Sequence, residues 1–252
     1  MIVPRGLKAM LQKTAPVKLA GKGPYCGFVD EQRCKYKGLT KLLARCLWSD
    51  GTLPAMATHG AVRRTGWKGE GGGRRRGLAV DTQLSKAINR GRRVAQKGQY
   101  TLTKYTLGLL SNHGLLPILA QRAVCDHRRR IATAIDIVCY RAVTKELVVV
   151  ELKCGHSGDR TAPAMKNAVV CCMAPPINKV KDTTLHRHFT QLAITRELFV
   201  SERGTLDNLQ AMNLSCKVEA ALLYVDDEGC TYYDLPRWWM LRAPKLLAAL
   251  AQ

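Results

Sequence analysis

Three apolar runs of strand length, at 116–124, 131–140 and 146–153, are separated only by short polar turns. Nothing else in the chain restricts its fold as much. The last of them reads LVVVELKCG from Leu147 to Gly155. Leu147, Val148, Val149 and Val150 fill both faces of a strand, so the alternation leaves no side for water. A strand of this kind belongs inside a sheet with a layer on each face. Glu151 and Lys153 then put charge into the same register. A buried ion without a partner costs several kcal/mol or neutralises itself. Either the strand surfaces there, or the two charges are held in place for a purpose.

The surrounding pattern gives that sheet its layers. In GLAVDTQLSKAINRGRRVA, Val80, Leu84, Ala87 and Ile88 share one helical face. TLTKYTLGLLSNHG predicts a second helix that stops at Gly114. After a polar, glycine- and proline-interrupted excursion over 155–181 comes DTTLHRHFTQLAITRELFVSE. Its Asp/Thr start and the face of Leu185, Phe189, Leu192 and Phe199 predict a helix. VEAALLYV and CTYYDL flank the turn DDEG as a closing hairpin, and a helix runs from Pro236 to the end. Helices, three strands, a helix and a further strand describe an α/β domain with a mixed central sheet flanked by helices.

Asp136 lies in the middle strand, inside TAIDIVCY. If the second and third strands fold as a hairpin about 143–144, Asp136 stands opposite Glu151, with Lys153 two residues further along the same face. RAVTKE carries no Asn-Gly turn to fix that register. Facing carboxylates raise each other's pKa unless a cation lies between them. Mg²⁺ is the natural cation, since it takes a few carboxylate oxygens and completes its shell with water and phosphate. An isolated E-x-K at a strand end is ordinarily a surface ion pair of small value. The Asp on the preceding strand and the helix that follows shift the balance. On that helix His188, Gln191 and Thr195 form a polar stripe, where Gln191 either faces the site or is an ordinary surface residue.

Asp136 followed by Glu151-Leu152-Lys153, within this order of elements, resembles the PD-(D/E)xK nuclease superfamily. HRHFTQLAITRELF is similar to the glutamine-bearing helix of its RecB and lambda-exonuclease branch. The resemblance spans roughly 77–235. It implies a restriction-endonuclease-like αβββαβ core and metal-dependent hydrolysis of DNA, in replication, recombination, repair or other nucleic-acid processing. It further implies that Asp136 and Glu151 hold Mg²⁺ or Mn²⁺, with the Leu152 carbonyl as a further ligand. Lys153 would serve the attacking water, and Gln191 would stand at the edge of the site. An acid from the first core helix often joins such sites, and Asp81 is the candidate, although it could equally be a first-turn residue favoured by the helix dipole. Two positions depart from the family pattern. Ile135 stands where the family is named for proline, and Thr195 stands where a tyrosine often follows the glutamine. The cysteine set of iron–sulfur members is missing, so no cluster is expected.

Charge supports a polyanionic partner. The net charge is +21, whereas aromatic residues make up only 6%. This favours contacts along a phosphate backbone over base stacking. Residues 1–76 carry 16 Lys and Arg against 4 Asp and Glu. They read as a basic, glycine-rich arm or accessory layer, partly ordered around KGLTKLLARCLW, ahead of a nuclease-like domain over 77–252. Arg74, Arg75 and Arg76 before the first core helix, Arg128, Arg129 and Arg130 in the turn DHRRRIA, and His188 are the candidate nucleic-acid contacts. Their alternative is solvated charge. DNA is favoured over RNA, with the chain acting alone or in an oligomer or larger assembly. No apolar run reaches the 18 or so residues that cross a bilayer. Ten scattered cysteines without C-x-x-C fit free thiols in a reducing intracellular compartment, whether nucleus, mitochondrion or viral or bacterial nucleoid. Cys26, Cys34 and Cys46 match no zinc spacing, and Cys125 and Cys139 read as core residues. Asp226, Asp227 and Glu228 read as turn chemistry, and Trp238 and Trp239 as packing of the last helix. A second function class remains: a catalytically silent nucleic-acid-binding or assembly protein that keeps the fold. A third is a structural protein of an RNA-rich particle anchored through 1–76.

Overall fold

A computed structural model describes residues 3–13, 17–20, 27–48, 73–89, 99–154, 171–227 and 229–250. Most of the 155–181 excursion, the glycine-rich stretch before 73, Cys26 and Glu228 lie outside the described residues.

The three apolar runs form an antiparallel meander of β4 (Leu115–Asp126), β5 (Ile131–Arg141) and β6 (Glu146–Cys154). β7 (Val218–Val225) lies parallel to β6 on its other edge, and β8 (Cys230–Asp234) returns antiparallel to β7. Parallel neighbours need a crossover, and the crossover contains α5 (Thr184–Ser201) and the short α6 (Thr205–Ala211). The protein is thus α/β with a mixed sheet between helical layers.

The LVVV run serves both layers. Val148 and Val150 join a core with Val80, Leu84 and Ile88 of α3 (Gly73–Asn89) and Leu102 and Leu110 of α4 (Thr101–Asn112). Leu147 and Val149 join the opposite core with Leu192 and Phe199 of α5 and Leu246 of α7 (Arg237–Ala249). All four are fully buried. At about 1.5–3 kcal/mol for each large apolar side chain, this segment is one of the sheet's main anchors.

α5 is enclosed far beyond one face. Every residue from Arg187 to Thr195 is buried, because the helix lies between the sheet and α7. Thr183 caps its N-terminus by accepting the His186 amide.

The N-terminal region adds α1 (Leu7–Lys13), β1 (Lys18–Ala20), β2 (Gly27–Val29), β3 (Lys35–Gly38) and α2 (Leu39–Cys46). β1, β2 and β3 form a small antiparallel meander, and β3 then pairs parallel with the start of β5 through Lys37↔Ile131 and Gly38↔Ala132. Leu7, Leu11, Leu39, Leu43 and Leu47 enter the same core as α5. Lys8 reaches across to the carbonyls of Ile88 and Asn89 at the end of α3, where a cation complements the helix dipole. The described part of 1–76 is therefore built into the sheet and core of the remaining chain.

Candidate active site

β4 covers one edge of β5 along its whole length, while β6 and β3 share the other. β6 accompanies β5 from Arg141↔Glu146 to Ile137↔Val150 and then leaves with β7. β3 arrives only at Ile131 and Ala132. The sheet forks between them, and Asp136 stands at the fork. Its Oδ2 accepts the Leu152 amide at 2.8 Å, so a carboxylate replaces the strand–strand hydrogen bond that would have continued the ladder. The hairpin turns about 143–144, and continuing its register sets position 136 against 151, as the sequence spacing requires.

The other flank of Asp136 is irregular too. The β4–β5 ladder skips Gln121 and Asp136 between Ala120↔Ile137 and Arg122↔Ile135. Gln121 has φ 57°, a left-handed conformation that costs a non-glycine residue about 1–2 kcal/mol. Strict alternation fails here. Ala120 and Ile137 face the α3/α4 core, whereas Ile135 and Arg122, which lies over the Phe199 ring, face the α5 core. The Gln121 amide nitrogen donates to Asp136 Oδ1 at 3.2 Å. Such backbone departures concentrate where a structure positions functional groups. Beside Gln121 opens a cleft of about 360 Å³, with Gln12, Lys18, Phe28, Asn89 and Arg122 on its walls.

On the β6 side three groups interlock. Glu151, 3% exposed, accepts Lys153 Nζ and Gln191 Nε2 on the same oxygen, each at 2.6 Å. Lys153 Nζ also donates to Gln191 Oε1 at 3.2 Å. Gln191 is buried against the sheet, so of its two sequence readings the surface one does not hold. Asp81 approaches from α3, close enough to feel the charges of Glu151 and Lys153.

The electrostatics follow from three carboxylates around one ammonium. Burial, then the Glu151 charge, pushes the Asp81 carboxyl up to about 6, with Lys153 opposing. Asp136 is raised well above the usual carboxylate range by burial and then by the charges of Glu151 and Asp81. Burial alone would lower Lys153, but Glu151 and Asp136 outweigh it, so its ammonium is held charged. Lys153 in this arrangement donates and offsets charge.

This donor set suits a hard divalent cation, because the fork has more anionic oxygen than its one lysine balances. Asp136, Glu151 and the Leu152 carbonyl could hold such an ion, with Asp81 alongside. Among the described residues no three His, Cys, Asp or Glu groups are gathered tightly enough to cage a metal by themselves. A bound ion would therefore draw further oxygens from water and phosphate, as Mg²⁺ ordinarily does.

The remaining sequence candidates fall elsewhere. His188 is buried one helical turn before Gln191, with Nδ1 2.6 Å from the hydroxyl of Tyr224. Tyr224 is the register partner of Lys153 on β7, so His188 backs the site rather than facing solvent. Arg76 is buried and forks onto Asp227, through Nη1 at 2.9 Å and through Nη2. The side chains of Arg74 and Arg75 lie outside the described residues. Arg128 and Arg130 are exposed, whereas Arg129 is tied to Asp126. Asp226 accepts the Gly229 amide as a turn residue. Trp239 is buried in the α7 packing, and Trp238 stands beside it under the Arg242 guanidinium. The nine described cysteines are free thiols, with Cys125 and Cys139 buried. No helix among the described residues is long and apolar enough to cross a membrane. Gln121 was missed from sequence, and only its place across from Asp136 on a neighbouring strand could have signalled it.

No protein-family model matches the chain, and no curated protein matches it.

Proposed function

We propose that the chain is a metal-dependent nuclease of PD-(D/E)xK type that hydrolyses phosphodiester bonds of DNA in replication, recombination or repair. One observation carries this reading: Asp136, Glu151, Lys153 and Gln191, with Asp81 beside them, meet at the fork from four separate elements. The antiparallel meander followed by α5 and a strand parallel to β6 supports a restriction-endonuclease-like core.

Mg²⁺ bound there would polarise the phosphodiester and make a metal-bound water a better nucleophile at neutral pH. The chain's own residues do the rest. The charged Lys153 ammonium offsets phosphate charge and orients a water. Gln191 bonds both Lys153 and Glu151, and the Leu152 amide and the Gln121 side chain fix the Asp136 carboxylate.

A second reading, a nucleic-acid-binding protein without catalysis, draws on the closed Lys153–Glu151 pair, which already neutralises one carboxylate. The two readings separate on incubation of the purified protein with single-stranded DNA, duplex DNA and RNA, in Mg²⁺ or EDTA. The nuclease reading expects Mg²⁺-dependent cleavage of DNA that EDTA stops and that Asp136→Ala and Lys153→Ala each abolish. Tight, salt-sensitive binding with no cleavage under any metal would replace it with the second reading.

A further inference from the structure

The end of β5 away from the fork gathers positive charge from two distant parts of the sequence. The turn at 30–34 between β2 and β3 carries Arg33, and β3 adds Lys35 and Lys37 on the face opposite the buried Tyr36. The turn at 127–130 between β4 and β5 carries Arg128 and Arg130. All five side chains are exposed. The acids nearby are Asp30, Glu31 and Asp126, and two of them are engaged: Asp126 with Arg129, and Asp30 with the Cys34 amide and Tyr36.

The two turns are locked together. Tyr36 donates its single hydroxyl proton to Asp30 Oδ2 at 2.9 Å, since a carboxylate can only accept. His127 Nδ1, 2.7 Å from the same hydroxyl oxygen, must therefore carry a proton and donate. The Lys37 amide donates to the Arg130 carbonyl at 2.7 Å. Arg33 and Arg130 also sit at φ 61° and 52°, positions that glycine or asparagine would occupy at lower cost. Arginine is held at both in spite of that strain.

We propose that these two turns form a clamp for the sugar–phosphate backbone of nucleic acid, with Arg33, Lys35, Lys37, Arg128 and Arg130 as its cations. Arg128 and Arg130 alone would be a charged turn; the N-terminal hairpin makes them a surface with cations on two locked elements. Ile131, where β3 joins, is five residues along β5 from Asp136. At 3.3 Å per residue that is about 16 Å. It corresponds to about five base-pair steps along a duplex axis. The clamp grips the substrate at that remove from the cleaved bond and gives the basic N-terminal segment a task. It rests on the nuclease reading for the identity of the polyanion and for the distance to a cleaved bond.

The test is binding of a fluorescent DNA duplex in EDTA across a salt series. The triple variant Arg33→Gln/Lys35→Gln/Lys37→Gln is compared with Lys104→Gln/Arg237→Gln/Lys245→Gln, which removes the same charge from exposed sites elsewhere. The clamp triple is expected to weaken binding at least tenfold and to flatten the slope of log K against log salt by about 2–3. The control triple should do neither to that extent. Equal losses in both triples would reduce the effect to bulk charge and overturn the clamp. So would unchanged binding in the clamp triple, or wild-type binding to phosphatidylserine vesicles that exceeds binding to DNA at the same salt. If the protein cleaves nothing and the clamp triple still loses DNA, the nuclease reading falls and the clamp stands.

Discussion

Two kinds of buried charge flank the same helix, and they are built on different terms. At the start of α5, Arg187 forks onto Asp182 through Nε at 2.6 Å and Nη2 at 2.8 Å, with its guanidinium lying over the Trp48 ring. At the other end Glu202 receives Arg122 at 2.6 Å. Arg187 meets Asp182 through two parallel hydrogen bonds and Arg122 meets Glu202 through one, so each buried cation has a carboxylate against it, which is how charge is tolerated in a core. Midway along α5, Gln191 faces the fork, where three carboxylates surround one ammonium. An ion pair that balances is sufficiently explained by the fold. At the fork the carboxylates outnumber the cation, and the proposed Mg²⁺ would offset that excess.

The comparison breaks most sharply under single substitutions. Asp182→Ala removes the forked carboxylate partner of the buried Arg187 guanidinium and should cost roughly 3–5 kcal/mol in urea unfolding, while the folded fraction keeps its rate. Asp136→Asn should do the reverse. It removes a repelled carboxylate, so metal-free stability holds or rises, while Mg²⁺-dependent cleavage falls a thousandfold or more, about 4 kcal/mol of barrier. An Asp136→Asn protein that unfolds as easily as Asp182→Ala would show that the fork is a structural pair like the others.

Gln191 tests the link between the two halves of the fork. Gln191→Leu keeps the volume on α5 and deletes both hydrogen bonds, to Glu151 and from Lys153. The single-turnover cleavage rate should fall about tenfold to a hundredfold, in line with about 1.5–3 kcal/mol for hydrogen bonds to charged groups. The duplex affinity measured in EDTA should stay within about twofold, because Gln191 lies away from the five clamp cations. A loss of binding with the rate unchanged would move Gln191 from the chemistry to substrate contact.

What could be read in the sequence was whatever depends on short-range period. β4, β5 and β6 follow from apolar runs, and the 136–151 opposition follows from counting residues through a four-residue turn. The same counting fails at Gln121 and Asp136, because both strands change the core they face there, and the left-handed Gln121 leaves no compositional trace. On α5 the polar stripe of His188, Gln191 and Thr195 left open whether Gln191 faces the site or solvent. Burial on all sides comes from α7, whose packing no local window contains. β1 and β2 have three residues each, too few for alternation to register. Arg76 illustrates the same limit in charge: among neighbouring arginines it reads as a phosphate contact, yet its partner Asp227 lies 151 residues on.

The smallest effect concerns Asp81, and its sign is fixed by the direction of its shift. In the unfolded chain its carboxyl titrates near the usual 3.8, whereas in the fold it holds its proton up to about 6. Between those values the folded state binds more protons, so its contribution to metal-free stability is fully present below pH 4 and is lost as pH rises through 6. Asp81→Asn removes that dependence. Without metal the variant should therefore be more stable than wild type above pH 6, by roughly 1–2 kcal/mol for a partly solvated group, with the gap closing toward pH 4. Mg²⁺ should narrow the gap above pH 6 by stabilising wild type more than the variant, because the carboxylate that costs stability in metal-free buffer is the one that favours a cation. Thermal melts of both proteins across pH, with and without Mg²⁺, read this directly. A stability difference that does not change with pH would place Asp81 outside the field of Glu151 and Asp136 and leave it an ordinary mid-helix residue of α3, whose first turn at Gly73 lies two turns earlier and rules out the helix-dipole role.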